Sequence, residues 1–416
     1  MTIATADMLP HVLLALATII IAGRGLGAIF QRLGQPRVIG EVVAGIMLGP
    51  SLLGRISPEA MMLILPHSAA PFLGLIAQLG VILFMFLVGL ELNTEHLRSR
   101  VGTTLVISNA SIIAPFLMGV ALAWWLYPHM APAGVPFTSF ALFMGVAMSI
   151  TAFPILARIL TDRGIERTEL GVVALSCAAV GDVTAWCLLA FVVGVAQSKL
   201  SDALTTAMLT AGYIALMFGA VRPLIARKLG VLEESRITTS VIAWMLIALL
   251  LSALITQSIG IHAIFGAFLW GAMFPHDSPL ARSLEQKLAD VVAVLLLPAF
   301  FAYTGMRTQI GLVSSPTEWL ICGLIIVVAT LGKFGGTAIV ARLSGFSWRT
   351  SSSLGILMNT RGLMELIVLD IGLELGVISP TLFAMMVLMA LATTIATTPI
   401  LQWLNPDTAM LSQVRR

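Results

Sequence analysis

Six ionisable residues, Arg24, Asp182, Lys333, Arg361, Glu365 and Asp370, fall well inside long apolar runs. Asp182 stands out most. It lies near the centre of the run from Thr168 to Gln197, within Ala178–Trp186. A carboxylate at mid-bilayer costs roughly 2.5–3.5 kcal/mol on insertion scales, so it marks either a compensated structural charge or an ion path. Two uses fit Asp182: an acid permanently paired with a base, or a group that holds a proton and a metal cation in turn. The second use requires burial and neighbouring charge to match its proton affinity to the working pH. Small hard cations prefer oxygen ligands. The run Ser149–Pro154 offers them: the Ser149 and Thr151 hydroxyls, and carbonyls near Ile150 that Pro154 frees by removing a backbone donor and crowding the preceding turn. No His/Cys cluster offers softer ligands. Cys177, Cys187 and Cys322 sit in apolar runs without CxxC spacing and read as packing.

The other charges carry two readings each. Lys333, within Ala329–Gly336, is a counter-charge for a helix end or a second titrating group. Arg361 and Glu365 are four apart, one helical turn, and read as a structural pair in preference to transport groups. Asp370 lies about a turn further on, toward the outer surface. Arg24 is placed to snorkel. His262 reads as a packed or interfacial residue, and Glu41 as a structural acid positioned to cap its helix.

The elements that must hold these groups follow from composition. The 416-residue chain is 58% hydrophobic and 10% charged, against about 25% charged residues in soluble domains, and its mean hydropathy is +1.01. That is an all-α polytopic membrane protein. A net charge of +3, no long basic run and 3 Tyr argue against nucleic-acid binding. No nucleophile–base pair or metal-ligand motif supports an enzyme. The first apolar run has no Lys or Arg before it and is long enough to span, so it is not expected to be a cleaved signal.

Thirteen spans are expected, each near the ~20 residues a bilayer requires: Leu9–Phe30, Val38–Leu53, Phe72–Leu92, Val101–Tyr127, Phe137–Leu160, Thr168–Gln197, Ala203–Leu229, Ile237–Gln257, Ile261–Phe274, Leu284–Thr308, Glu318–Leu343, Trp348–Leu375 and Thr381–Leu404. With the N-terminus outside, 17 Lys and Arg fall inside, 3 outside (Arg55, Lys199, Arg307) and 3 within spans, out of 23. This bias predicts an outside N-terminus and a cytoplasmic C-terminus. An odd span count with the seventh as connector suggests two inverted six-helix repeats. Such repeats place a site near the midplane on interrupted helices at corresponding positions. Both fifth spans are interrupted, one by Ser149–Pro154 and the other by Asn359-Thr360-Arg361-Gly362. Gly23-xxx-Gly27 and Gly45-xxx-Gly49 are either close helix contacts or incidental.

Several stretches carry a family resemblance: Leu33–Glu41 followed by Gly45–Gly54, then Thr151–Arg158, Ile261–Phe268 and Met358–Leu366. From Leu9 to Leu404 the chain resembles the monovalent cation:proton antiporters, in the branch of bacterial Kef-type and Nha-type carriers and plant cation/proton exchangers. The resemblance implies the sodium/proton antiporter fold. Residues 98–197 and 314–404 would form a mobile core with crossed, broken helices, moving like an elevator. Residues 1–97 and 233–313 would form a dimerising scaffold, 198–232 a linking helix and 405–416 a cytoplasmic tail. It implies exchange of K+ or Na+ for H+ at Asp182, a core lysine at Lys333, no cofactor, a homodimer and a bacterial inner membrane.

Two features depart from the family. An Asp, Asn or Gln usually precedes the essential acid, and here that position is Gly181. A single carboxylate gives one cation per proton, an electroneutral exchange, and leaves Lys333 without its usual acid, so that it pairs with Asp182 or takes another role. A nucleotide-binding domain is also missing, so gating by nucleotide or glutathione is not expected. A cation channel is a further reading, although no ring-forming filter sequence repeats. A non-transporting sensor or partner subunit is another, kept open by Gly181.

Overall fold

The structure, a computed structural model, describes residues 5–66, 68–90, 101–166, 168–197, 200–228, 237–275 and 278–404. Seven basic residues of the inside–outside count (Arg98, Arg100, Arg167, Lys199, Arg236, Arg415 and Arg416) and the expected tail 405–416 lie outside the described residues. Every regular element among them is helical. In chain order the helices are α1 (Thr5–Arg32), α2 (Arg37–Leu48), α3 (Leu53–Ile56), α4 (Pro58–Ile64), α5 (Ala70–Leu90), α6 (Val101–Met130), α7 (Phe137–Ser149), α8 (Phe153–Asp162), α9 (Glu169–Gln197), α10 (Leu200–Leu216), α11 (Arg222–Lys228), α12 (Thr239–Ile259), α13 (Ala263–Ala272), α14 (Pro279–Val291), α15 (Leu297–Arg307), α16 (Pro316–Thr330), α17 (Gly336–Leu343), α18 (Trp348–Met358), α19 (Leu363–Glu374) and α20 (Pro380–Leu404). Five-residue π turns join α10 to α11, α14 to α15 and α16 to α17.

Among the described residues, 10 helices are long and apolar enough to cross a membrane. The other three expected spans fall on shorter pieces: α7 and α8, α13, and α18 and α19. Local chemistry explains these boundaries. Pro154 sits in the first turn of α8, where its missing N–H has no intrahelical partner to lose. Gly260 ends α12 with φ +99°, a left-handed conformation that glycine adopts freely, and His262 then caps α13 by accepting from the Ile264 N–H. Ser315, Pro316 and Glu318 form a capping box at the start of α16. Glu41 does not cap α2. Pro36 holds that position without a side-chain bond, and Glu41 lies inside the helix, buried, with its stem against Gly23 of α1 and with Arg24 and Arg37 in electrostatic range.

The chain divides into two compact units. The first holds the described parts of residues 1–21, 58–94 and 190–303. Within it α5 and α13 meet at backbone distance: a Cβ on Gly89 would lie 2.3 Å from the Phe268 carbonyl oxygen, and one on Gly271 would lie 2.2 Å from that of Phe86. Packing on small residues is the usual basis of close helix approach in lipid. The Tyr213 hydroxyl bonds to the Ser252 hydroxyl at 2.6 Å, which donates to the Gly266 carbonyl at 2.6 Å.

The second unit holds the described parts of 22–57, 95–189 and 304–416, so residues 22–57 cluster with the segments that carry both breaks. Its apolar interior joins Ile107 of α6, Leu156 and Ile159 of α8, Cys177 and Ala178 of α9, and Leu357 and Met358 of α18. Gly45 and Gly49 make a close contact with Gly305. A Cβ on Gly305 would lie 2.1 Å from the Gly45 carbonyl carbon. The Ser51 hydroxyl extends this seam, donating to the Thr308 carbonyl at 2.6 Å and accepting from the Ile310 N–H at 3.0 Å. Gly305→Ala is therefore expected to lower stability by about 1–3 kcal/mol, the usual cost of overpacking. A thermal midpoint in detergent equal to that of the wild type would show that the seam yields.

Candidate ion-binding site

Both interruptions are breaks in the backbone, and they meet. After α7 the chain is extended through Ile150–Ala152 before α8 begins, and after α18 it leaves the helix at Asn359–Gly362 before α19. The Ala152 N–H donates to the Thr360 carbonyl at 2.9 Å, and the Thr151 hydroxyl donates to the Met358 carbonyl at 3.1 Å. Gly362 leaves room for the Ile155 side chain, since a Cβ there would lie 2.0 Å from Ile155 Cδ1 and displace the end of that side chain.

An α-helix leaves its last four carbonyls without intrahelical donors and ends with a partial negative charge. Three of the last four carbonyls of α7 are met by cationic side chains. Arg361 donates to Ala147 at 2.9 Å and to Met148 at 2.7 Å, and Lys333 donates from Nζ to Ser149. The Ser149 hydroxyl turns back to the Gly145 carbonyl at 2.7 Å and reaches that of Ile112 at 3.1 Å. The end of α18 receives only neutral donors from the first break. The two breaks therefore carry different charge.

Arg361 is wholly buried and pairs with Glu365 at 2.9 Å. Sequence spacing suggests one helical turn between them. In the structure Arg361 precedes α19 and reaches Glu365 in its first turn. Thr394 of α20 fixes the Arg361 backbone, accepting from its N–H at 2.9 Å and donating to its carbonyl at 2.5 Å. Sequence reasoning passed over Thr394, although hydroxyls at 393, 394, 397 and 398 in an otherwise apolar helix are a readable polar stripe. Asp370 is paired too, with Arg307 at 2.6 Å, and the same guanidinium reaches Glu374 at 3.3 Å.

Lys333 sits in the π turn Leu331–Gly335, wholly buried, within electrostatic range of Asp182, Arg361 and Glu365. π turns in long helices recur at functional positions. Asp182, on α9, is 3% exposed, and among the described residues neither of its carboxylate oxygens has a hydrogen-bond partner. Cys177 and Ala178, the latter one turn before Asp182, belong to the same apolar cluster as Ala152 and Met358, and Asp182 is in electrostatic range of Lys333, which bonds the Ser149 carbonyl at the first break. Gly181 beside it has nothing within 4 Å of a would-be Cβ.

Solved structures define the class of this architecture. Over 97% of its length the chain matches 99% of the sodium proton antiporter MjNhaP1 from Methanocaldococcus jannaschii, with a TM-score of 0.63 at 17% identity. That likeness establishes the antiporter fold. The family model for the sodium/hydrogen exchanger transmembrane region matches residues 14–404, and the chain belongs to that family. It is 44% identical over 405 residues to the Na+/H+ antiporter NhaS4 of Synechocystis, covering 95% of this chain and 98% of that protein. It is 40% identical over 398 residues to cation/H+ antiporter 18 of Arabidopsis thaliana, where it covers 94% of its own length and 48% of the relative's. These relatives are named as transporters, not enzymes.

Proposed function

We propose that the protein is a secondary antiporter exchanging a monovalent cation, Na+ or K+, for H+ across a bacterial inner membrane, by alternating access centred on Asp182. The observation that carries this is the state of Asp182: a buried carboxylate whose two oxygens have no hydrogen-bond partner among the described residues, with Lys333 in electrostatic range and itself donating to the Ser149 carbonyl at the first break. A carboxylate left open to one passenger at a time is what exchange requires. The names of the relatives support cation–proton exchange. Lys333, Arg361 and Glu365 compensate helix-end charge in the core, and Pro154, Asn359 and Gly362 make the breaks. The moving part of an elevator would be residues 98–197 and 314–404, and the scaffold of a homodimer residues 1–97 and 233–313; the clustering of 98–189 and 314–404 apart from 58–94 and 233–303 supports such a division. The N-terminus faces outside and the C-terminus the cytoplasm.

The test is flux through purified protein in liposomes. An imposed pH gradient is expected to drive saturable uptake of Na+ or K+, and the two cations compared side by side give the preference. Single-channel current would favour a channel instead. Cation binding without proton-coupled flux would favour a sensor.

One carboxylate carries one cation or one proton, so each cycle moves no net charge. Uptake is expected to be insensitive to an imposed membrane voltage. The open space at Gly181 admits a second acid. Gly181→Asp, if it adds a second proton per cation, is expected to make uptake accelerate under inside-positive or inside-negative voltage according to the direction of net charge. Voltage-driven flux in the wild type would refute electroneutral exchange.

A further inference from the structure

We infer that Asn359 and Thr360, from the second break, supply side-chain oxygen ligands to the cation that Asp182 carries, and thereby set which cation is preferred. This rests on the exchange proposed above, in which the ligands of the first break were the expected ones.

The inference comes from accounting for buried acceptors. Buried polar atoms in folded proteins nearly all have a partner, and each exception requires an explanation. At the breaks and Asp182, the acceptors without one among the described residues are Asp182 Oδ1 and Oδ2, Asn359 Oδ1, Thr360 Oγ1 and Glu365 Oε1. Glu365 is already held by Arg361 through its other oxygen. Asn359 and Thr360 have no such tie through these atoms, and they are 2% and 0% exposed. The hydroxyls of the first break spend their protons on carbonyls, Thr151 on Met358 and Ser149 on Gly145 and Ile112, and keep lone pairs that remain open to a cation. The second break therefore adds two neutral side-chain oxygens that make no bond at all among the described residues.

Their placement agrees. Thr360 is tied through its carbonyl to Ala152, and Ala152 packs in the cluster that includes Ala178, one turn from Asp182. Among the described residues, no cationic side chain bonds the Met358 or Thr360 carbonyl, in contrast to the end of α7. A cation approaching Asp182 from this side meets uncompensated oxygen. Hard cations take oxygen ligands, and neutral dipoles discriminate among ions through number, field strength and cavity size. Neutral ligands also leave the exchange at one charge for one charge.

The experiment uses the full chain in liposomes, with pH-driven uptake of Li+, Na+ and K+ measured as apparent KM and kcat. Thr360→Val keeps the shape and the backbone bond to Ala152 and removes only the hydroxyl. Asn359→Leu removes the amide oxygen. Each is expected to raise the KM for the preferred cation about tenfold, the effect of losing one interaction with a charged partner, and to change the Na+/K+ ratio. Thr360→Ser restores the hydroxyl and is expected to return KM to the wild-type value. In detergent, the rise in thermal midpoint on adding the cation should move to higher concentration in Thr360→Val, which reads binding without turnover. Unchanged KM and cation ratio in Thr360→Val, or equal weakening in Thr360→Val and Thr360→Ser, would overturn the ligand assignment. The exchange reading survives either result provided Asp182→Asn is inactive. Exchange persisting in Asp182→Asn removes that reading itself.

Discussion

Asp182→Asn is expected to abolish pH-driven cation uptake, to the level of protein-free liposomes, while leaving a folded protein at least as stable as the wild type. The two halves of this expectation have different causes. Transport requires a group that takes up a proton in one part of the cycle and balances a cation in the other. Asn matches the shape of Asp and does neither. Stability points the other way, because a buried charge carries a desolvation penalty of several kcal/mol even after relaxation. Asp182 is buried and makes no hydrogen bond among the described residues that Asn would break. Lys333 loses an anion within electrostatic range, and its bond to the Ser149 carbonyl remains. Uptake against a pH gradient and the thermal midpoint in detergent are the measurements. An inactive variant with a sharply lowered midpoint would mean that Asp182 is a structural acid. An active variant would remove the proposed mechanism.

Both breaks could be read from the chain because their causes are local. Pro154 sets a helix start, and Asn359–Gly362 interrupts an apolar run with polar residues and a glycine. Apolar runs of spanning length likewise follow from the solvent each residue must face. The partners at the breaks were hidden for the opposite reason. Arg361 bonds carbonyls 214 and 213 positions away, and Lys333 one 184 positions away. Backbone carbonyls carry no residue-type signal, so no composition or spacing reports such contacts. The π turn that carries Lys333 is similarly silent, since Ala329–Gly336 reads as an ordinary glycine-bearing helix. Glu41 illustrates the reverse error. An acid near the start of a span suggests a cap, but Pro36 already supplies a preset entrance to α2, and Gly23 of α1 leaves room for the carboxylate stem inside. Asp370 was placed by counting turns, while its partner Arg307 lies on another helix, 63 residues away.

Arg361→Met is expected to destabilise the protein by about 3–5 kcal/mol, the range for removing one partner of a buried ion pair. Met fills the volume and supplies no donors. Glu365, wholly buried, would lose the partner of one oxygen when its other already has none. The Ala147 and Met148 carbonyls would lose their donors at the same time, at the negative end of α7. Glu365→Gln is expected to be milder, because Gln still accepts from Arg361 and the guanidinium still holds both carbonyls. The double change Arg361→Met with Glu365→Met is expected to recover part of the loss by removing the stranded carboxylate, but not all of it, since the two carbonyls stay open. Thermal midpoints of the three variants in one detergent give this order directly. If Arg361→Met were as stable as the wild type and only slowed uptake, Arg361 would belong to the transport chemistry. The clamp between the end of α7 and the start of α19 would then come from the Ala152–Thr360 and Thr151–Met358 bonds alone.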